Sequence, residues 1–188
     1  MKNKKYRLLE DDAIVCDGRT LYRIRALRDV SEDVQEGEKG GYVESEANLS
    51  QEGTCWLFDE ACAYEDARVE GEAKLWGYAT LRGKAKLFEK ANLWGQAIVQ
   101  GEAKVGGTSF LDEHVVVGGK AILKGNVSLS EEVHVGGEAH LEGDDPSLSL
   151  WIEGKTMILG NTIMKGYGTF PDKDAILEAG TFRIEGDE

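Results

Sequence analysis

From Cys55 to Asp144 the chain repeats one six-residue phrase fifteen times without a slip. The first position of the phrase is Cys55, then Ala at 61, 67, 73, 79, 85, 91, 97 and 103, then Ser109, Val115, Ala121, Val127, Val133 and Ala139. The third position is Leu, Val or, at Ala63, alanine, and is never polar. The fifth is Gly in ten of the fifteen and acidic in the other five, Asp59, Glu65, Glu89, Glu113 and Glu131. Two inward residues separated by one outward residue are the period-two signature of a short strand, and a following Gly supplies the backbone angles of a turn. Six residues therefore make one strand and one corner. Three such units close a triangle of 18 residues, and successive triangles stack at about 4.8 Å, the spacing of paired strands. The predicted fold is an all-β, single-stranded parallel β-helix. An α-helix is excluded, because apolar positions would have to recur at intervals of three and four.

The frame reaches beyond the central block. Residues 41–46 and 47–52 fit it, with Val43 and Leu49 inward, before Gly53 and Thr54 add two residues. After Asp144 the segment DPSLS shifts the phase by five, and a new run begins at Leu150 with inward third positions Ile152, Ile158, Met164, Phe170, Ile176 and Phe182. Seven to eight coils result, a rod of roughly 35 Å. Residues 1–40 stand outside the repeat and 41–188 inside it, with phase breaks near 53–54 and 145–149. Within the first segment, AIVCDGRTLYRIRALRDV places Asp17-Gly18 between two apolar runs and predicts a β-hairpin. A β-helix has two open edges, so a hairpin at one end is a cap. The acidic tail Glu185–Glu188 would oppose end-to-end stacking at the other.

Charge narrows the function classes. Residues 1–28 hold eight Lys/Arg against four Asp/Glu, leaving 14 against 31 for the rest, so an acidic body follows a basic head. Such a body repels phosphates, and no nucleic-acid partner is expected, although imitation of nucleic acid stays open. No apolar run is long enough to span a membrane and no signal peptide is evident, so a cytoplasmic protein is expected. Three cysteines, Cys16, Cys55 and Cys62, show neither an even count nor a CxxC spacing.

The stretch GGYVESEANLSQEGTCWLFDEA, followed by V/L-x-G-x-A-x repeats, resembles the YdcK-type hexapeptide-repeat proteins of enterobacteria and of phage and prophage genomes. The resemblance covers nearly the whole chain. It implies a left-handed β-helix of the hexapeptide-repeat acyltransferase superfamily, whose enzymes are trimers and use a CoA donor. In most of those enzymes the Gly follows the aliphatic directly; here it comes one place later.

Residues 18 apart stack vertically, so the outer surface can be read as columns. Phe58, Trp76 and Trp94 form an aromatic column, a packing surface for a cap or partner or a stacking platform for a base or sugar. Arg68, Lys86 and Lys104 form a basic column, and Asp66, Lys84, Glu102, Lys120 and Glu138 alternate in sign. Thr80, Ile98 and Val116 make a strip that becomes apolar, with Ile122 on the next face, and Ile98 and Val116 mark a candidate interface for self-association or a protein partner. Of the three histidines, His134 and His140 fall on adjacent faces and His114 at a corner, so no metal site is expected. Superfamily enzymes present a His near an extruded loop, which here singles out His140, close to DDPSLS, as the candidate base. No cofactor is expected unless acyl transfer holds, in which case it is acetyl-CoA. The leading expectation is a non-catalytic interaction or scaffold protein of phage or prophage type, with a CoA-dependent acyltransferase and an acidic DNA mimic that inhibits a host enzyme as alternatives.

Overall fold

A computed structural model describes residues 4–186. Every regular element among them is a β-strand. Strands β1 (Tyr6–Cys16) and β2 (Arg19–Ala26) form an antiparallel hairpin, and β3 (Lys39–Val43) pairs antiparallel with β2. From Trp56 onward the strands are two to four residues long and build three parallel sheets, the faces of a triangular solenoid. Face I continues β3 through Cys62–Ala63, Thr80–Leu81, Ile98–Val99 and onward to Ile176–Leu177; removing the two hairpin strands from its ten leaves eight levels. Face II runs from Trp56–Leu57 to Gly168–Thr169, and face III from Arg68–Val69 to Thr181–Ile184, each with seven strands.

The register follows the 18-residue period. Leu75, Leu93 and Leu111 are ladder partners and all are fully buried, as are the Ala residues at the first positions. Each level donates its outward amides to the carbonyls of the next, as in Lys74 N to Ala91 O (3.1 Å) and Trp76 N to Leu93 O (2.9 Å). Polar residues at first positions turn back on themselves. Ser109 Oγ donates to Gly106 O (2.7 Å) and Thr162 Oγ1 to Leu159 O (2.8 Å), so burial leaves neither hydroxyl unsatisfied.

Corners explain the fifth position. Glycines there adopt positive φ, for example Gly107 at 70°, and the five acidic exceptions adopt the same left-handed backbone, from 52° at Asp59 to 65° at Glu131. Left-handed backbone is costly for a residue with a Cβ. Three of the five gain a partner in exchange: Asp59 Oδ2 accepts the amide of Gly77 (3.1 Å), Glu65 Oε2 that of Gly83 (2.6 Å), and Glu89 Oε2 that of Gly107.

The hairpin closes one end. Its Asp17-Gly18 turn has φ of 48° and 75°, the primed geometry that the hairpin twist needs. Tyr6 meets Trp56 edge-on at 6.2 Å and its hydroxyl donates to Leu49 O (2.7 Å). Lys5 is fully buried, and its Nζ donates to Cys55 O (2.9 Å) and lies 3.2 Å from Cys55 Sγ. At the hairpin tip Asp17 accepts from Tyr64 Oη (2.7 Å) and Arg82 (2.9 Å), clamping the cap to the outside of face I.

The two residues added near 53–54 set Val43 twenty places from its partner Ala63, and two further irregularities interrupt the rod. Between Leu129 and its partner Ile152 the chain takes five residues beyond one coil, and these form a loop in which Asp145 Oδ1 accepts the amides of Ser147 (2.7 Å) and Leu148 (2.9 Å). The second irregularity corrects the alternation. Ile176 is not inward: it is 64% exposed and pairs with the outward Met157, while Leu177, packed against the core, takes the inward place opposite Ile158. Pro171 fixes its own φ, and Asp172 Oδ1 accepts the amide of Asp174 (3.3 Å), a side-chain turn that takes up one additional residue at that corner. Phase is regained where Phe182 pairs with Met164. Of the acidic tail, Asp187 and Glu188 lie outside the described residues.

Candidate functional site

The aromatic column is a continuous stack at the edge of face II. Phe58 and Trp76 lie with ring centroids 3.5 Å apart and planes within 1°, and Trp76 and Trp94 follow at 4.9 Å and 20°. Lys74 Nζ sits 5.8 Å from the centroids of both Phe58 and Trp76 and pairs with Asp33 (2.5 Å), a cation held over two rings. Trp76 Nε1 is buried with no hydrogen-bond partner. Ring faces that stack on each other are not free for a ligand, so the Phe58 to Trp76 segment acts as mortar between levels. Only at Trp94, 39% exposed, does the column open, and there Phe110 continues it at 6.3 Å with a tilt of 42°.

The apolar strip runs up face I. Thr80, Ile98, Val116 and His134 are ladder partners in one outward row, and Met157 and Ile176 extend it. Gly118 and Gly136 stand two residues beyond Val116 and His134, and the side chains of Gln100 and Leu159 from the adjoining levels lie against them. Ile122, 36% exposed, lies on face III beside Lys104 and His140 in its ladder.

His140 lies in the outward row of face III between Ile122 and Ile163. Its Nε2 is buried without a partner. Burial, then the charge of Lys124, holds the imidazole below its usual range despite Glu142. Glu142 serves other groups: it pairs with Lys165 (2.7 Å) and Lys124 (3.3 Å), which hold its carboxyl below the usual range, the Lys165 hydrogen bond chief among the causes. A neutral, partnerless nitrogen is what a base requires, but among the described residues no carboxylate hydrogen-bonds the ring. A recess of about 320 Å³ lined by Gly107, Gly125, Gly143 and Pro146 opens at the neighbouring corner, under the loop.

The remaining columns take up their expected rows. Arg68, Lys86 and Lys104 are ladder partners on face III, and in the alternating column Lys120 pairs with Glu138 at 3.0 Å. The three histidines are not brought together, and among the described residues no group of His, Cys, Asp and Glu is placed to hold a metal. No helix among them is long and apolar enough to cross a membrane. Two features escape a reading by columns. Phe110 and Trp151 belong to one outward row of face II, on either side of Ser128, but the five-residue loop puts Trp151 off the 18-residue period. The carboxylate caps at the corners were signalled only by an acidic residue standing 18 places before a Gly.

No family model matches the chain. It is similar to the uncharacterized acetyltransferase YdcK of Escherichia coli (strain K12), with 35% identity over 89 residues, 43% of this chain and 27% of that protein. The match thus spans about a quarter of the relative's length.

Proposed function

We propose that the chain is a non-catalytic interaction protein, a capped β-solenoid whose face I docks a protein partner, further copies of itself included. The observation that carries this is the outward row of Ile98 and Val116, bordered by Gly118, on a flat sheet. A row of β-branched side chains on a level sheet suits another flat surface. A trimer is the assembly that the resemblance suggests. All three cysteines are free, which fits a reducing cytoplasm. Ile98→Lys tests the reading: light scattering should show a smaller particle while circular dichroism is unchanged. A parent that is already monomeric, or a mutant of unchanged mass, would sink it.

A second reading, acyl transfer from acetyl-CoA, draws on the name of the E. coli relative, on the neutral imidazole of His140, and on the recess beside it. Calorimetry with acetyl-CoA decides between the two. Under the second reading it shows saturable binding, and His140→Ala lowers acetyl transfer by about 10² or more. Under the first, no binding occurs.

A further inference from the structure

Beyond the point where the stack opens, face II changes character. Trp94, Phe110 and Trp151 are 39%, 38% and 46% exposed, so each presents ring surface to solvent. Phe110 and Trp151 are the two ladder neighbours of Ser128, which sets them two strand spacings apart, about 9.6 Å. Nothing taller than a serine stands between them. Ser128 Oγ bonds Ser149 Oγ (3.2 Å), which in turn bonds Asn126 Oδ1 (2.7 Å), so a chain of hydroxyl and amide groups runs beside the rings.

We propose that face II between Trp94 and Trp151 binds a linear, uncharged β-linked polysaccharide lying along the rod axis. A pyranose ring has an apolar C–H face edged by hydroxyls, and it is recognised by an aromatic ring beneath it with groups alongside that both donate and accept. Phe110 and Trp151 supply the rings, and Ser128 and Ser149 the hydroxyls. The spacing of the two backbone positions is close to the advance of two sugar units in an extended β-linked chain, which brings two rings of the same orientation within reach of the two platforms. The flatness of the face suits an extended polymer rather than a compact small molecule. A polynucleotide also stacks on aromatic rings, but its phosphates would meet the carboxylates of Asp112 and Glu131, while Glu153 is paired with Lys173. Those carboxylates are compatible with neutral hydroxyls.

The test is depletion of the purified full chain from solution by microcrystalline cellulose and by chitin, at low and high salt. Saturable depletion by at least one of them, insensitive to salt, is expected. Trp151→Ala and Phe110→Ala should each weaken it by roughly tenfold or more, the scale of losing one aromatic stacking partner. Lys86→Ser on face III should bind as the parent does. No depletion on either polymer, or undiminished binding by Trp151→Ala, overturns the proposal. Loss of self-association in Trp151→Ala overturns it as well, because the face would then belong to a second copy of the chain. Should Trp151→Ala lose the circular dichroism of the parent, Phe110→Ser carries the same test.

Discussion

A left-handed corner asks a residue with a Cβ to accept strain, and the acidic corners of this rod differ in what they receive for it. Glu89 accepts the amide of Gly107, whereas the carboxylate of Glu131 caps no amide among the described residues, although its φ is 65°. Glu131→Gly should therefore raise the unfolding free energy by about 1 kcal/mol, relieving the left-handed penalty. Glu89→Gly should gain less or lose stability, because the hydrogen bond goes with the side chain. Urea titrations of the two variants side by side read the difference. Gly125 shows the converse: any Cβ there would be driven into the carbonyl oxygen of Gly143 in the coil above. His140 sets a pH dependence of its own. Its folded pKa lies below the ordinary 6.5, so the unfolded chain binds the proton first. Stability is untouched above that value and declines as pH falls below it, until the folded imidazole is protonated too. His140→Gln should flatten this acid limb in urea midpoints measured between neutral pH and pH ~5.

Each strand of the solenoid has one residue in and one out, and the two should answer mutation very differently. Leu93→Ala opens a cavity in a fully buried column and should cost about 2–5 kcal/mol, while Asn92→Lys, one residue away on the outside, should cost under about 0.5 kcal/mol. Equal losses in thermal melts would mean that the strand does not face the way its register says. At this scale the sequence was most legible. Strict alternation placed Leu75, Leu93 and Leu111 in one column, and Asp17-Gly18 placed the hairpin. The alternation misplaced Ile176, because a proline and a side-chain turn absorb one residue, and periodicity has no term for a corner of variable length. Phe58, Trp76 and Trp94 were visible as a column, but not that their faces would be spent on one another. Phe110 and Trp151 could not be paired without the register across the 145–149 loop. The cap hid Trp56, an outward position in the repeat yet 1% exposed, because hairpin contacts obey no period.

For the whole molecule, the relevant fact is that a coil touches only the coils above and below it. Stability is then nearly a sum over neighbouring levels, and opening starts where a level has one neighbour instead of two. The first coil is covered by the hairpin, through the buried Lys5, Tyr6 and the clamp at Asp17. At the other end the last strand of each face has a neighbour on one side only, and Ile176 is exposed. Hydrogen exchange should run as a gradient, with amides of 163–184 exchanging first and those of 62–117 last. Uniform exchange along the rod would mean that the solenoid opens as one cooperative block. Charge acts at this scale too. The net charge of −13 is spread over three faces and interrupted by Arg68, Lys86, Lys104 and the pairs Lys120–Glu138 and Lys124–Glu142.

The unbroken register between Trp56 and Leu129 also bears on inheritance. Because the levels there present inward residues of the same kind, small at the first position and aliphatic at the third, an in-frame loss or doubling of one coil's coding sequence would join Leu75 to the surroundings of Leu93 with little seam for selection to repair. Length in such a gene is counted in whole steps, and each step carries a fresh set of outward residues on which mutation can act while the interior stays as it was.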